Sequence, residues 1–96
     1  MFDKLSKVVR RFEELNDKLS DPSIYDRQDE YKKISSERSS IEEIVECYKK
    51  YQKIKSDVTE AQEILKLEND EEMRQMAKDE LSELEGQIPV LEDELK

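Results

Sequence analysis

Cys47 is the single cysteine of a 96-residue chain that contains no histidine. A thiol or hydroxyl nucleophile of the Cys-His or Ser-His kind needs a neighbouring base, and the chain has no imidazole to supply one. Cys47 falls on an apolar helical stripe and reads as a small core residue. The 26 Asp and Glu residues are interspersed with 17 Lys and Arg. Spaced as in Glu14 with Lys18, they read as solvated helix faces with i to i+4 pairs, not as the paired carboxylates of a hydrolase. The acidic run Asn69-Asp70-Glu71-Glu72 lacks the alternating oxygen ligands and central glycine of a calcium loop, and there is no Cys/His cluster for zinc. With Gly86 as the only glycine, a phosphate-cradling loop cannot be built. Tyr31, Tyr48 and Tyr51 sit on or beside apolar stripes, where packing explains them better than base stacking. Met73 and Met76 read as adaptable packing residues at a helix start. These residues designate no catalytic side chain, no cofactor-binding residue and no metal ligand, and they imply no cofactor.

The elements that carry these residues are helices. Phe2, Leu5, Val8, Val9, Phe12, Leu15 and Leu19 recur at the spacing of one helical face, which predicts a first helix over about 3–20. It ends at Ser-Asp-Pro-Ser, because Pro22 has no backbone N–H and pushes Asp21 away from helical geometry. Residues 20–23 are therefore expected to turn. Tyr31, Ile34, Ile41, Val45 and Tyr48 then form a stripe interrupted by Arg38, and a second stripe of Ile44, Cys47, Tyr51, Ile54, Val58, Ala61 and Leu65 overlaps it. One helix over about 26–67 accounts for both, roughly 60 Å long at about 1.5 Å per residue. It meets different partners along its length.

Asn69 is placed to cap a third helix over about 70–95, with Glu72 reaching back in a variant of the capping box. Asp70, Glu71 and Glu72 suit the positive end of its dipole. Met73, Met76, Ala77, Leu81, Leu84, Ile88, Leu91 and Leu95 continue at helical spacing and predict a stripe packed back on the second helix. Gly86 and Pro89 predict a kink or break near 85–89. The fold class is thus all-α: a long antiparallel hairpin with a shorter first helix beside it. The periodicity is still running at Leu95, as expected of one domain of a longer protein.

Composition excludes several function classes. A net charge of −9 opposes phosphate backbones and anionic membranes at long range, so direct nucleic-acid binding is disfavoured. No apolar run approaches the length of a membrane span, and charge throughout the first residues is unlike a signal peptide. A lone cysteine gives no intrachain disulfide, and a cytoplasmic location is expected.

Four stretches carry a likeness. "LNDKLSDPSIY" (15–25), "YKKISSERSSIEEIVECYKKY" (31–51), "VTEAQEIL" (58–65) and "NDEEMRQMAKDEL" (69–81) resemble successive parts of the amino-terminal helical domain of bacterial peptide chain release factor 1. That family comprises class I factors that end translation at stop codons. The likeness is most specific at Asp21-Pro22, at Glu72-Met73-Arg74 and at Met76-Ala77, while Glu71 stands where the family commonly has proline. "SERSSIE" (36–42) is also reminiscent of release factor 2. The resemblance implies a non-catalytic interaction domain spanning 1–96. Its implied partners are the ribosome near the stalk base, the GTPase that recycles class I factors, and the remaining domains of the same protein. The family's stop-codon tripeptide and Gly-Gly-Gln loop lie in other domains. "EGQIP" (85–89) carries Glu85 in place of the first glycine and is not that loop.

The heptad-like spacing alone also allows another reading, a stand-alone coiled-coil adaptor or homodimerisation module. Exposed stripes could in either case drive self-association of the isolated piece.

Overall fold

Two interruptions of helical periodicity, at the Asp21-Pro22 pair and at residues 68–70, divide the chain into α1 (Phe2–Ser20), a 3-10 helix (Pro22–Asp26), α2 (Gln28–Leu67) and α3 (Glu71–Glu94). The structure, a computed structural model, describes residues 2–96, with side chains from Asp3 onward. Phe2, the first member of the expected apolar stripe, has its side chain outside the described residues. The order is all-helical, with α1 packed on α2 and α3 packed on α2 as the periodicity requires. The described residues form two compact units, 1–46 and 47–96.

In the first unit, α1 presents Leu5, Phe12 and Leu15 as buried residues, with Val8, Val9 and Leu19 half-buried beside them. The turn after α1 is more ordered than a simple reversal. Asp21 caps the 3-10 helix, its carboxylate accepting the Ser23 amide at 3.0 Å, and Pro22 takes the first helical position, where a missing N–H costs nothing. This short helix displaces the start of α2 from the expected Asp26 to Gln28. It also buries Ile24, which lies outside every periodic stripe, against Leu15 and Ile34. Leu19, Tyr31 and Ile41 pack around that cluster.

Arg38, the residue that interrupts the stripe of α2, joins it to α1. Its guanidinium lies 4.7 Å from the centroid of the Phe12 ring, and its Nε donates to the Asn16 side-chain oxygen. A cation over an aromatic face keeps its charge partly solvated while its stem covers apolar surface. Nearby, Arg11 straddles the Glu37 carboxylate through Nε and Nη2, the latter at 3.1 Å.

In the second unit, Tyr48, Tyr51, Ile54 and Ala61 of α2 are buried with Ala77 and Leu91 of α3. Contacts of Leu65 with Arg74 and of Cys47 with Glu94 make the two segments antiparallel. Ala61 and Ala77 are both nearly inaccessible close to the turn, where small side chains let helix backbones approach, whereas Tyr48, Tyr51 and Leu91 fill the other end. The helical assignment passes through Pro89 without the expected break. Pro89 and Glu85 are both exposed, so the Glu85 carbonyl released by the missing N–H can be solvated.

Ile24→Ala is expected to destabilise the chain by about 2–5 kcal/mol through loss of buried volume. Tyr25→Ala, at an exposed neighbour whose ring pairs with that of Tyr31 at 5.5 Å between centroids, should cost less, about 0.5–1.5 kcal/mol. Urea unfolding of the two variants checks the difference.

Acid should weaken the first unit in a defined direction. The Ser23 amide holds the Asp21 carboxyl below its ordinary range, and a hydrogen bond from Arg11 does the same for Glu37. A carboxyl depressed on folding contributes stability above its unfolded value of about 4, and that contribution is lost as pH falls through the lower folded value. An Asp21→Asn/Glu37→Gln variant should therefore show a shallower loss of stability on the acid side than the parent. Urea midpoints measured across that range test this.

Candidate functional site

The return from α2 to α3 occupies only residues 68–70, and three side chains around it, those of Glu68, Asp70 and Arg74, satisfy backbone groups. Glu68 Oε1 accepts the amides of Asn69 and Asp70 at 3.1 and 3.0 Å. Asp70 then caps α3, its Oδ1 accepting the Glu72 amide at 3.1 Å. The cap is therefore Asp70 and not the expected Asn69, and Glu68, the first residue after α2, takes the part foreseen for Glu72. Both residue types are good caps, so the shift of one position follows from where Glu68 reaches.

Arg74 completes the arrangement from α3. Its Nη1 donates to the carbonyls of Leu65 and, at 3.2 Å, Glu68, the acceptors that α2 leaves unpaired at its end. A guanidinium there also meets the negative end of the α2 dipole. Arg74 falls one turn before Ala77, where the buried stripe of α3 would otherwise continue. Sequence spacing marks that position as a gap in an apolar pattern but does not reveal its carbonyl partners.

This register turns Met73 and Met76 outward, contrary to their expected place in the packed stripe. The face of α3 turned to α2 is Ala77, Leu81, Leu84, Ile88, Leu91 and Leu95, alternating by four and three. Met73 and Met76 lie to one side of it and are 50% and 68% exposed. With Ile64 and Glu80 they surround a shallow depression of about 330 Å³ floored by Ala77. Leu67, 76% exposed at the last position of α2, lies near it in sequence on the same turn. Single exposed apolar residues are ordinary, but here several fall within fourteen positions around one turn.

Cys47 is half-buried rather than a core residue. Its Sγ donates to Glu94 Oε2 at 3.3 Å, and burial together with this carboxylate pushes the thiol above its ordinary range. A raised thiol stays protonated at neutral pH and is a poor nucleophile. Sequence separation hid Glu94 from view, and the antiparallel return reveals it. Ile44, placed on the second stripe of α2, is exposed. Tyr48 and Tyr51 are buried, as packing residues should be.

Gly86 and Gln87 lie within α3 and belong to no loop. Among the described residues, no group of three or more His, Cys, Asp or Glu side chains is arranged to hold a metal ion. No helix among them is long and apolar enough to cross a membrane.

Comparison with known proteins finds relatives along the whole chain. The chain is 45% identical to peptide chain release factor 1 of Alkaliphilus oremlandii over 97 aligned positions, covering 100% of this chain and 27% of that protein. It is 42% identical to peptide chain release factor 1 of Agathobacter rectalis and 38% identical to that of Chlorobaculum tepidum, again over 100% of this chain and 27% of each relative. The chain thus spans about a quarter of the length of these curated relatives. No solved structure matches it. The sequence profile of the PCRF domain matches residues 8–96, and the chain belongs to the PCRF domain family.

Proposed function

We propose that residues 1–96 are the amino-terminal, non-catalytic interaction domain of a peptide chain release factor that acts in termination of translation at stop codons. The observation that carries this reading is the alignment of the whole chain with a part of release factor 1 proteins from several bacteria. The chemistry is compatible with it. The thiol of Cys47 is suppressed, the carboxylates are solvated or capping, and four large apolar side chains, Ile64, Leu67, Met73 and Met76, are left exposed around the α2–α3 turn, suited to contact.

In this reading the domain docks the factor near the base of the ribosomal stalk and communicates with the GTPase that recycles it. Reading of the codon and hydrolysis of the ester of peptidyl-tRNA are left to further domains of the same protein. The place of work is the cytoplasm, where ribosomes act. The acidic balance of −9 favours protein contacts over direct binding of RNA phosphates.

The test compares the full-length factor with one lacking residues 1–96 in ribosome assays of peptide release and of GTPase-stimulated recycling. Release at a stop codon should persist in the truncated factor, while the stimulation by the GTPase should fall by about tenfold, a usual size for coupling between sites. If release and recycling both stayed as in the full-length factor, the domain would have no part in either. The coiled-coil adaptor reading makes a different demand, a stable homodimer at low concentration in sedimentation analysis.

A further inference from the structure

Four of the seven large apolar side chains exposed among the described residues, Ile64, Leu67, Met73 and Met76, lie around the α2–α3 turn. Ile64, in the last turn of α2, has its side chain open to solvent, and Met73 and Met76 in the first turns of α3 are in the same state, around a depression lined by Ala77. None of the three contributes to the buried stripes of the second unit, and all are more than two-fifths exposed. Methionine is flexible and polarisable, so a pair of them makes a surface that adapts to an apolar ridge. The depression lies between two helix segments, a shape suited to the apolar face of a third helix.

The charged residue that lines the depression, Glu80, is acidic, and the segment around it carries an acidic excess. Residues 60–80 contain eight carboxylates and three cations, a larger imbalance than their share of the chain. Arg74 among the cations is engaged with the carbonyls of Leu65 and Glu68, and Glu68 and Asp70 among the carboxylates accept backbone amides, so the acidic excess persists among the rest. Glu80 itself lines the depression. An apolar seat beside Glu80, in an acidic segment, selects a partner with an apolar stripe flanked by lysine or arginine. It disfavours acidic helices, and it disfavours RNA, whose phosphates would meet the same carboxylates.

We propose that the depression formed by Ile64, Met73, Met76, Ala77 and Glu80 is a docking site for a basic amphipathic helix of a protein partner. This rests on the reading of the chain as an interaction domain and adds the chemistry of what it binds. The apolar face of the incoming helix lies over Met73 and Met76, and its cations reach Glu80 and neighbouring carboxylates.

The full chain carrying methyl-labelled methionine is titrated with a designed basic amphipathic peptide of about eighteen residues, five turns of helix. Comparison probes are a scrambled peptide of the same composition without an apolar face, a version with glutamate in place of its cations, and a short duplex RNA. The methyl signals of Met73 and Met76 should shift on addition of the basic amphipathic peptide. Binding of the scrambled and acidic peptides should be weaker by about tenfold or more, as expected when a central apolar anchor or the complementary charge is removed. An Ile64→Ser/Met76→Ser variant changes exposed side chains that the fold does not bury, and should weaken binding by a similar factor. Glu80→Lys should weaken the basic peptide and strengthen the acidic one.

Absence of binding, equal binding of the scrambled peptide, or indifference to the double variant would overturn the proposal. So would RNA moving the same methyl signals, or signals that shift with protein concentration alone, which would assign the surface to nucleic acid or to a second copy. Loss of GTPase stimulation on deleting residues 1–96, combined with no peptide binding here, would remove this site and leave the functional reading intact. Unchanged release and recycling in the deletion would remove that reading instead, whatever the peptide does.

Discussion

A chain that reverses direction between two long helices within three residues strands amides at one helix start and carbonyls at the other helix end. The second unit depends on how these groups are satisfied. Glu68 takes two amides, Asp70 takes a third, and Arg74 supplies the stranded carbonyls of α2. These bonds come from both helices, so they also settle the rotation of α3 about its own axis. Once Arg74 is committed to α2, Ala77 must face inward and the methionines on either side of Arg74 turn to one flank. The exposed surface at this turn is thus a consequence of capping chemistry as much as of apolar patterning.

The first unit solves a related problem by different means. Its apolar stripe is narrow, and Arg38 sits in the middle of it. Instead of leaving a gap, the guanidinium spreads over Phe12 and bonds to Asn16, while Arg11 grips Glu37. Exposed ion pairs contribute little each, so the buried cluster around Leu15, Ile24 and Ile34 carries most of the joint. The charged contacts select which faces meet. In a sequence where 45% of residues are charged, that selection matters because apolar contact alone specifies orientation poorly.

Helix extents were legible because proline, Asx caps and 3.6-residue periodicity report local physics. The long α2 was readable from two overlapping stripes, and its return from Asn69-Asp70. Ile24 was not, since a five-residue 3-10 helix is too short to show a period and the Asp21-Pro22 pair advertises a turn whether or not it buries anything. The choice between Asn69 and Asp70 as cap was undecidable locally, because it depends on where Glu68 reaches. Met73 and Met76 match a helical stripe, but a helix has two edges to each stripe. Which edge is covered depends on the register against α2, and hence on Arg74. Pro89 was expected to break α3 because local rules count the lost hydrogen bond without knowing that Glu85 and Pro89 are both exposed, where water can take its place. The partner of Cys47 lies forty-seven positions away. Only the tertiary return brings that carboxylate close, and with it the reason the thiol is quiet.

The two alanines near the turn have a further consequence, for alignment. Heptad-like stripes are nearly self-similar, so two helices bearing them could slide by one repeat and still match leucine to leucine. Ala61 and Ala77 are the small members of their stripes, and the antiparallel return brings them to the same level. A slide by seven residues would set Ala77 against Ile54 in one direction, or Ala61 against Leu84 in the other, replacing close backbone approach with a misfitting volume either way. The pair therefore acts as a notch and key that permits one alignment among several with similar apolar content.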